Sequence, residues 1–424
     1  MADTGKIAEV FFESVLESIE DQTMLSDMCE RFEPPAASMQ NANNFVWRPV
    51  EQQAVIQEGW DLTGLEQDII EETYPAILGL PQNDWVEQRA DDLRDMEFWR
   101  RRGKRSGKQQ IVTQNTAIAN AIAVQGSQYY SSAATSGFDF ISEAQALLNE
   151  QQRAQTDRYF LFNDRSNQSF AQDLAGRQTL QGRPADTWAN GQIGSNVAEF
   201  DVFTGSFLPT LAGGADPATT VTGNQSFAPS GGSVDAATGV VTNVDYRSAT
   251  IPVADSSSYN IGDKVNFSNT AVPVNAVGIS DQTDTGQAKV FTIVAKPSGT
   301  SITVYPKPIA ADDGALSVLE AKSANIDTVI LNGATVDRIN TAASDKTNLF
   351  WDRDAVEVLT GTIPADLFNQ FDGKKVLTET MKNGQPMYMI YDSNIVDMTF
   401  RYRLFTWWGV TIKDPQRCGV AVQS

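Results

Sequence analysis

Apolar residues recur at helical spacing at the start of the chain, where Ile7, Phe11 and Val15 stand four apart with Ala8, Phe12, Leu16 and Ile19 beside them. This stripe predicts an amphipathic helix. Its other face holds Glu9, Glu13, Glu17 and Asp21. Like charges four apart weaken an isolated helix by about 0.2–0.5 kcal/mol per pair, so the arm needs a partner surface. A solvated acidic face without a partner is the alternative. Pro34-Pro35 ends the arm, and Phe45, Trp47 and Val50 predict a strand after it. Residues 57–83 set short apolar runs among acids, glycines and prolines, the pattern of a long hairpin or extended loop. From Asp84, the positions of Trp85, Leu93, Met96 and Trp99 predict a helix running to about Val124, with acids leading. Gly103 and Gly107 fall inside it, each costing about 1 kcal/mol relative to Ala, and predict a kink or break.

Beyond this helix the patterning is mixed, helical over residues 141–153 and strand-like over 159–162. Between Gly205 and Val244 only Asp216 and Asp235 are charged. Short β-type runs follow at 249–253, 264–267, 288–294 and 301–305, separated by turn clusters, which predicts a small antiparallel barrel or sandwich. Weak helical patterning returns over 316–340, and an aromatic, strand-like stretch with Trp407 and Trp408 spans 399–412. The β module lies between two mixed segments and reads as an insertion into one host domain.

Composition narrows the chemistry. Among 424 residues, 53 acids face 32 bases, giving a net charge of −21, and histidine is absent. The acidity argues against tight sequence-specific nucleic-acid binding, which draws its affinity from neutralised phosphates. Without histidine there is no Ser-His or Cys-His catalysis and no His-based zinc site. Cys29 and Cys418 are too few for a disulfide framework and read as reduced, inert thiols. No export signal opens the chain, and the uncharged stretch 109–138 is too rich in Gln, Asn, Ser and Thr to span a membrane. Arg100, Arg101, Arg102, Lys104, Arg105 and Lys108 form a basic run that suits either nucleic acid or ion pairing with the acids of residues 84–97. The Gly103 to Lys108 stretch has the wrong glycine spacing for a phosphate loop, and the Asp-Thr-Gly triplets at 3–5 and 284–286 lack the setting of a protease dyad. The acid pairs Glu71-Glu72, Asp91-Asp92 and Asp312-Asp313 have no calcium-loop spacing. The tryptophans Trp60, Trp85, Trp99, Trp351, Trp407 and Trp408 read as core and interface packing. No catalytic, cofactor or metal residue stands out.

Specific residues carry a resemblance. Pro34-Pro35-Ala36-Ala37-Ser38-Met39-Gln40, Trp47, Pro49-Val50-Glu51-Gln52, Gln57-Glu58-Gly59-Trp60-Asp61-Leu62-Thr63 and Arg89-Ala90-Asp91-Asp92-Leu93-Arg94-Asp95 come first, followed by Arg100-Arg101-Arg102. Gln225-Ser226-Phe227, Gly262-Asp263-Lys264, Pro306-Lys307-Pro308, Thr347-Asn348 and Phe350-Trp351 come after them. In order and spacing the set resembles the major capsid (coat) protein of Lederbergvirus-type short-tailed bacteriophages of Salmonella and Shigella. The resemblance implies an α+β, Hong Kong 97-type capsid fold with an inserted small antiparallel β-barrel, the I-domain. It maps residues 1–33 to an N-terminal arm, 34–51 to the start of the peripheral domain, 52–83 to the E-loop and 84–127 to the spine helix. Residues 128–218 become the first part of the axial/peripheral domain and 347–405 the second part of the axial domain, with 219–346 the insert and 406–424 a C-terminal peripheral-domain strand.

The implied function is structural: with a scaffolding protein, copies of the chain assemble as hexamers and pentamers into an icosahedral shell. That shell has a portal at one vertex and encloses double-stranded DNA without sequence-specific binding. Assembly is expected in the bacterial host cytoplasm, and the product is the virion. No cofactor or membrane is involved. Intersubunit contact candidates are Glu13, Glu17, Trp60, Asp61, Arg100, Arg101, Arg102, Asp235, Asp245 and Arg247, the last three on an expected protruding loop over residues 233–247. The competing reading is a carboxylate-dependent, polysaccharide-acting phage enzyme with a β binding module. Its carboxyl pair would stand about 5–9.5 Å apart, and no pair in the sequence is singled out.

Overall fold

A computed structural model describes residues 4–20, 25–34, 45–50, 56, 60, 72–89, 95–152, 157–175, 196–215, 219–229, 233–234, 238, 241–341, 343–363, 375–381, 383–394, 396, 398–423. The chain forms two compact units, one of residues 1–46, 76–118 and 357–411, the other of 47–75, 119–356 and 412–424. The second therefore takes in the β module, and the division at 411/412 runs through the expected C-terminal segment 406–424.

In the first unit the N-terminal helix Thr4–Glu20 finds its partner surface within the same chain. Ile7, Phe11, Val15 and Ile19 are buried with Trp99 and Ile111 of the long helix Met96–Gln125 and with Met387, Met389, Phe400, Tyr402 and Leu404 of a sheet. Burying each large side chain contributes roughly 1.5–3 kcal/mol, which outweighs the few tenths lost per like-charge pair on the outer face. The sheet is antiparallel, in the order Lys375–Thr380, Pro386–Asn394, Thr399–Thr406 and Gln82–Arg89.

That last strand corrects the helix expected from Asp84. Residues 82–89 alternate between the two faces of the sheet, with Val86 packed against the core and Trp85 61% exposed. They pair in full register with 399–406, a partner more than 300 positions away by the paired numbers that local periodicity cannot reveal. The helix begins only at Met96, where the Asp95 carboxylate accepts the Phe98 N–H at 2.8 Å, the bond of an N-cap. It then continues through Gly103 and Gly107 without a break.

Among the described residues, the second unit holds two seven-stranded sheets. One runs in the order Gln128–Ser132, Cys418–Gln423, Ser344–Asp352, Arg158–Asn163, Phe200–Gly205 and Asn196–Val197, with Thr210–Ala212 paired to the start of its third strand. The helices Gly137–Glu150 and Asp164–Ala175 pack on it through Phe140, Leu148 and Phe170 against Phe160, Phe162 and Phe350. Residues 210–212 and 344–346 thus form a two-stranded stem through which the chain leaves this sheet and returns.

Between the stem strands lies the other sheet, in the order Thr219–Thr220, Thr335–Arg338, Lys264–Asn269, Phe291–Ser298, Ser301–Tyr305 and Ala249–Pro252, with Val272–Pro273 as an extra edge. Its first and last strands meet: Val221 bridges Val253, and the Thr222 N–H donates to the Pro252 carbonyl at 2.9 Å. The sheet closes on itself around Ile251, Tyr259, Phe267, Phe291, Ile302 and Val336. The helix expected over 316–340 is absent. That stretch holds the short 3-10 turn Glu320–Ser323 and the strand Thr335–Arg338, because Ile326, Ile330 and Val336 are drawn into the barrel core.

Candidate assembly surfaces

A surface of the first unit is built by two helices held unusually close. A Cβ placed on Gly103 would stand 1.9 Å from Ser14 Oγ and 2.7 Å from the Phe11 carbonyl, and one on Gly107 would stand 2.7 Å from the Val15 carbonyl. Two glycines four apart open one groove on the long helix, and the backbone of the N-terminal helix lies in it. Ser18 Oγ donates to the Lys104 carbonyl at 2.9 Å, and Lys104 Nζ pairs with Glu17 at 3.2 Å.

The outer rim then carries charge. Glu13 is exposed, and Arg100 and Arg101 are exposed beside Glu97, which receives Arg100 Nη1 at 3.3 Å. Arg102 turns away and pairs with Asp84 at 2.7 Å. Half-exposed pairs of this kind contribute at most about 1 kcal/mol, so the rim is free to exchange partners. Lys104 was not singled out as a contact: it belongs to the basic run, but its pairing with Glu17 depends on a helix approach that the sequence does not show.

Trp60 stands fully exposed, whereas Asp61 and Asp235 lie outside the described residues. Asp245 and Arg247, expected on a protruding loop, pair with each other within the chain. Arg247 is only 4% exposed; its Nε and Nη2 donate to the two Asp245 oxygens at 2.8 and 2.9 Å, and its Nη1 donates to the Ile412 carbonyl. The guanidinium lies over the rings of Tyr305 and Tyr74, 5.2 and 5.7 Å from their centroids. Burial disfavours its charge, but the hydrogen bonds and charge of Asp245 prevail and hold its pKa above the ordinary value. Burial also pushes the Tyr305 hydroxyl up to about 12, against the pull of Arg247. The Tyr246 N–H bonds to the Thr73 carbonyl at 3.0 Å, so this stretch is anchored on the strand Glu72–Ile77. Beside it a mixed-charge cleft of about 510 Å³ is lined by Glu72, Lys307, Lys413 and Asp414, and desolvation raises the Glu72 pKa and lowers that of Lys307.

The Gly262-Asp263-Lys264 motif proves to be a junction. Gly262, at φ +96°, takes a turn that a side chain would strain. The Asp263 carboxylate accepts from the Gly214 N–H and from Asn340 Nδ2, both at 3.1 Å, and so ties together the two ends of the stem. Lys264 Nζ donates to the carbonyls of Ala123 and Gly126 at the end of the long helix and to Thr292 Oγ1. Nothing local in the sequence marks this lysine as buried.

Among the described residues no group of three His, Cys, Asp or Glu side chains is placed to hold a metal ion. No helix among the described residues is long and apolar enough to cross a membrane. The profile of the family described as "P22 coat protein - gene protein 5" matches residues 1–423. Among solved structures, the capsid of the cyanophage P-SCSP1u is similar at 10% identity and TM-score 0.43, covering 95% of this chain and 88% of that one. The mature capsid of bacteriophage PhiM1 is similar at 9% identity and TM-score 0.45, covering 95% and 87%. The CUS-3 coat protein I-domain is similar at 27% identity and TM-score 0.24, covering 30% of this chain and all of that one.

Proposed function

We propose how the surfaces of this chain, which belongs to the P22 coat protein family, are divided among partners. The protein is a structural, non-enzymatic major capsid protein of a tailed bacteriophage, and copies of it assemble into the icosahedral shell of the virion. The observation that carries this is the family match over residues 1–423. The carboxylate-enzyme reading has no support.

Finer assignments are our own reading. The ordered motifs from Pro34 to Trp351 support a coat protein of the Lederbergvirus type with a Hong Kong 97-type domain plan. On that plan residues 1–33 are the arm, 52–83 the E-loop, 84–127 the spine segment and 219–346 the inserted I-domain, a reading supported by the two-stranded stem and the closed sheet. The acidic face with Glu13 and Glu17 receives a basic scaffolding protein. Trp60, Asp61, Arg100, Arg101 and Asp235 serve contacts between neighbouring copies, while Arg102, Asp245 and Arg247 support such contacts from within their own chain. A portal occupies one vertex, assembly takes place in the host cytoplasm, and the net charge of −21 keeps the enclosed double-stranded DNA from sticking to the wall.

Purified chain mixed with scaffolding protein is expected to give closed shells by electron microscopy and megadalton particles by light scattering. A chain that stays monomeric with the scaffold present would overturn the reading.

A further inference from the structure

Within the first unit, a polar cavity of about 180 Å³ lies between the strand Gln82–Arg89 and the long helix. Asp84, Arg102, Arg105, Ser106 and Gln110 are on its wall. Ser106 is 4% exposed, and its Oγ has no hydrogen-bond partner in the protein. One oxygen of Asp84 takes the Arg102 guanidinium at 2.7 Å, while the other, Oδ2, is buried and unpartnered. Both amide atoms of Gln110, Oε1 and Nε2, are likewise buried without a protein partner. Native interiors leave few polar atoms unpaired, and four around one small cavity mark a place where something binds.

The donor and acceptor pattern restricts what that is. Asp84 Oδ2 and Gln110 Oε1 accept, Gln110 Nε2 donates, and the Ser106 hydroxyl does either, so the ligand must both donate and accept. Its charge is restricted as well. An anion would lie against the Asp84 carboxylate, and a cation would lie beside the guanidiniums of Arg102 and Arg105. A neutral, hydroxylic ligand satisfies every group. At about 30 Å³ per molecule, the space corresponds to a handful of waters.

We propose that this cavity is a structural-water site in which a small cluster of ordered waters joins the strand Gln82–Arg89 to the long helix through Asp84, Ser106 and Gln110. These bridges lie beside the direct Asp84–Arg102 ion pair and add exchangeable contacts between the strand and the helix.

Two measurements test this. A high-resolution map of assembled shells or of the crystallised full chain is expected to show discrete peaks about 2.7–3.2 Å from Asp84 Oδ2, Ser106 Oγ and the Gln110 amide. An empty cavity, a tetrahedral anion, or a neighbouring copy's side chain in the density would each overturn the proposal. In thermal denaturation of the full chain, Ser106→Ala combined with Gln110→Leu is expected to lower the melting temperature, because it removes groups that the waters bridge. In a dry cavity the same change deletes unsatisfied groups and leaves the melting temperature unchanged or higher, which would refute the site. If that variant fails to fold, the map of the unmodified chain decides.

Discussion

Lys264 places an ammonium where burial opposes it and geometry supports it. Desolvation brings its pKa down from the ordinary 10.5 to about 7. Three acceptors and the negative end of the long helix work to keep the proton on. Between about 7 and 10.5 the unfolded chain carries a proton that the folded chain has released, so this group makes stability rise with pH across that window. The penalty is complete below the window and gone above it. In urea denaturation the protein is therefore expected to gain on the order of 1–3 kcal/mol from this residue between about pH 6.5 and 9.5. Lys264→Met is expected to abolish that increment and to leave the Ala123 carbonyl without its donor, at a cost of about 1–3 kcal/mol. Parallel pH profiles for the two proteins would show that Lys264 is not the group responsible.

Two elements show where local preference is overruled. In an isolated helix, replacing glycine by alanine gains about 1 kcal/mol. Gly103→Ala is expected to do the reverse here, because its methyl group would press on Ser14 Oγ and the Phe11 carbonyl, and overpacking costs about 1–3 kcal/mol. A lowered urea midpoint for Gly103→Ala and Gly107→Ala checks this, and a raised midpoint for either would mean that the helices do not approach so closely. The sequence shows the two glycines and the apolar stripe of the N-terminal helix, but not that one lies in the groove of the other, so the helix reads as broken where it is in fact packed. The strand Ser301–Tyr305 was legible to the residue, since β-branched alternation and flanking turns are local signals. Gln82–Arg89 was not, because its pairing with Thr399–Thr406 is remote. For the candidate contacts, charge and position were legible in Glu13, Arg100 and Arg101, which the structure leaves exposed. The burial of Arg247 was not legible, because Tyr74, Tyr305 and the Ile412 carbonyl reach it from three distant segments.

At the scale of the whole chain, electrostatics and modularity give separate expectations. The arm concentrates nine acids against two bases between Met1 and Pro35, and Glu17 is paired with Lys104 while Glu13 is exposed. Glu13→Lys is therefore the cleaner reversal: it is expected to reduce scaffold incorporation into shells, with the loss most evident at low salt, since charges at the surface are screened beyond about 10 Å at 0.1 M. Unchanged incorporation would remove the arm from the scaffold contact. The barrel has its own core, from Val221 to Val336, closed by pairing of its first and last strands and gathered at a two-stranded stem. At well over the ~40 residues below which staples are needed, the segment 210–346 is expected to fold alone, with dispersed amide spectra and a cooperative melt. In that fragment the carbonyls of Ala123 and Gly126 are missing, so Lys264 returns to water at the base of the barrel and its pKa to the ordinary lysine range. The fragment is then expected to lack the rise in stability with pH that the full chain shows. An unfolded fragment would refute the modular reading, and a folded fragment that keeps the pH dependence would place its source inside the barrel instead of at the junction with the long helix.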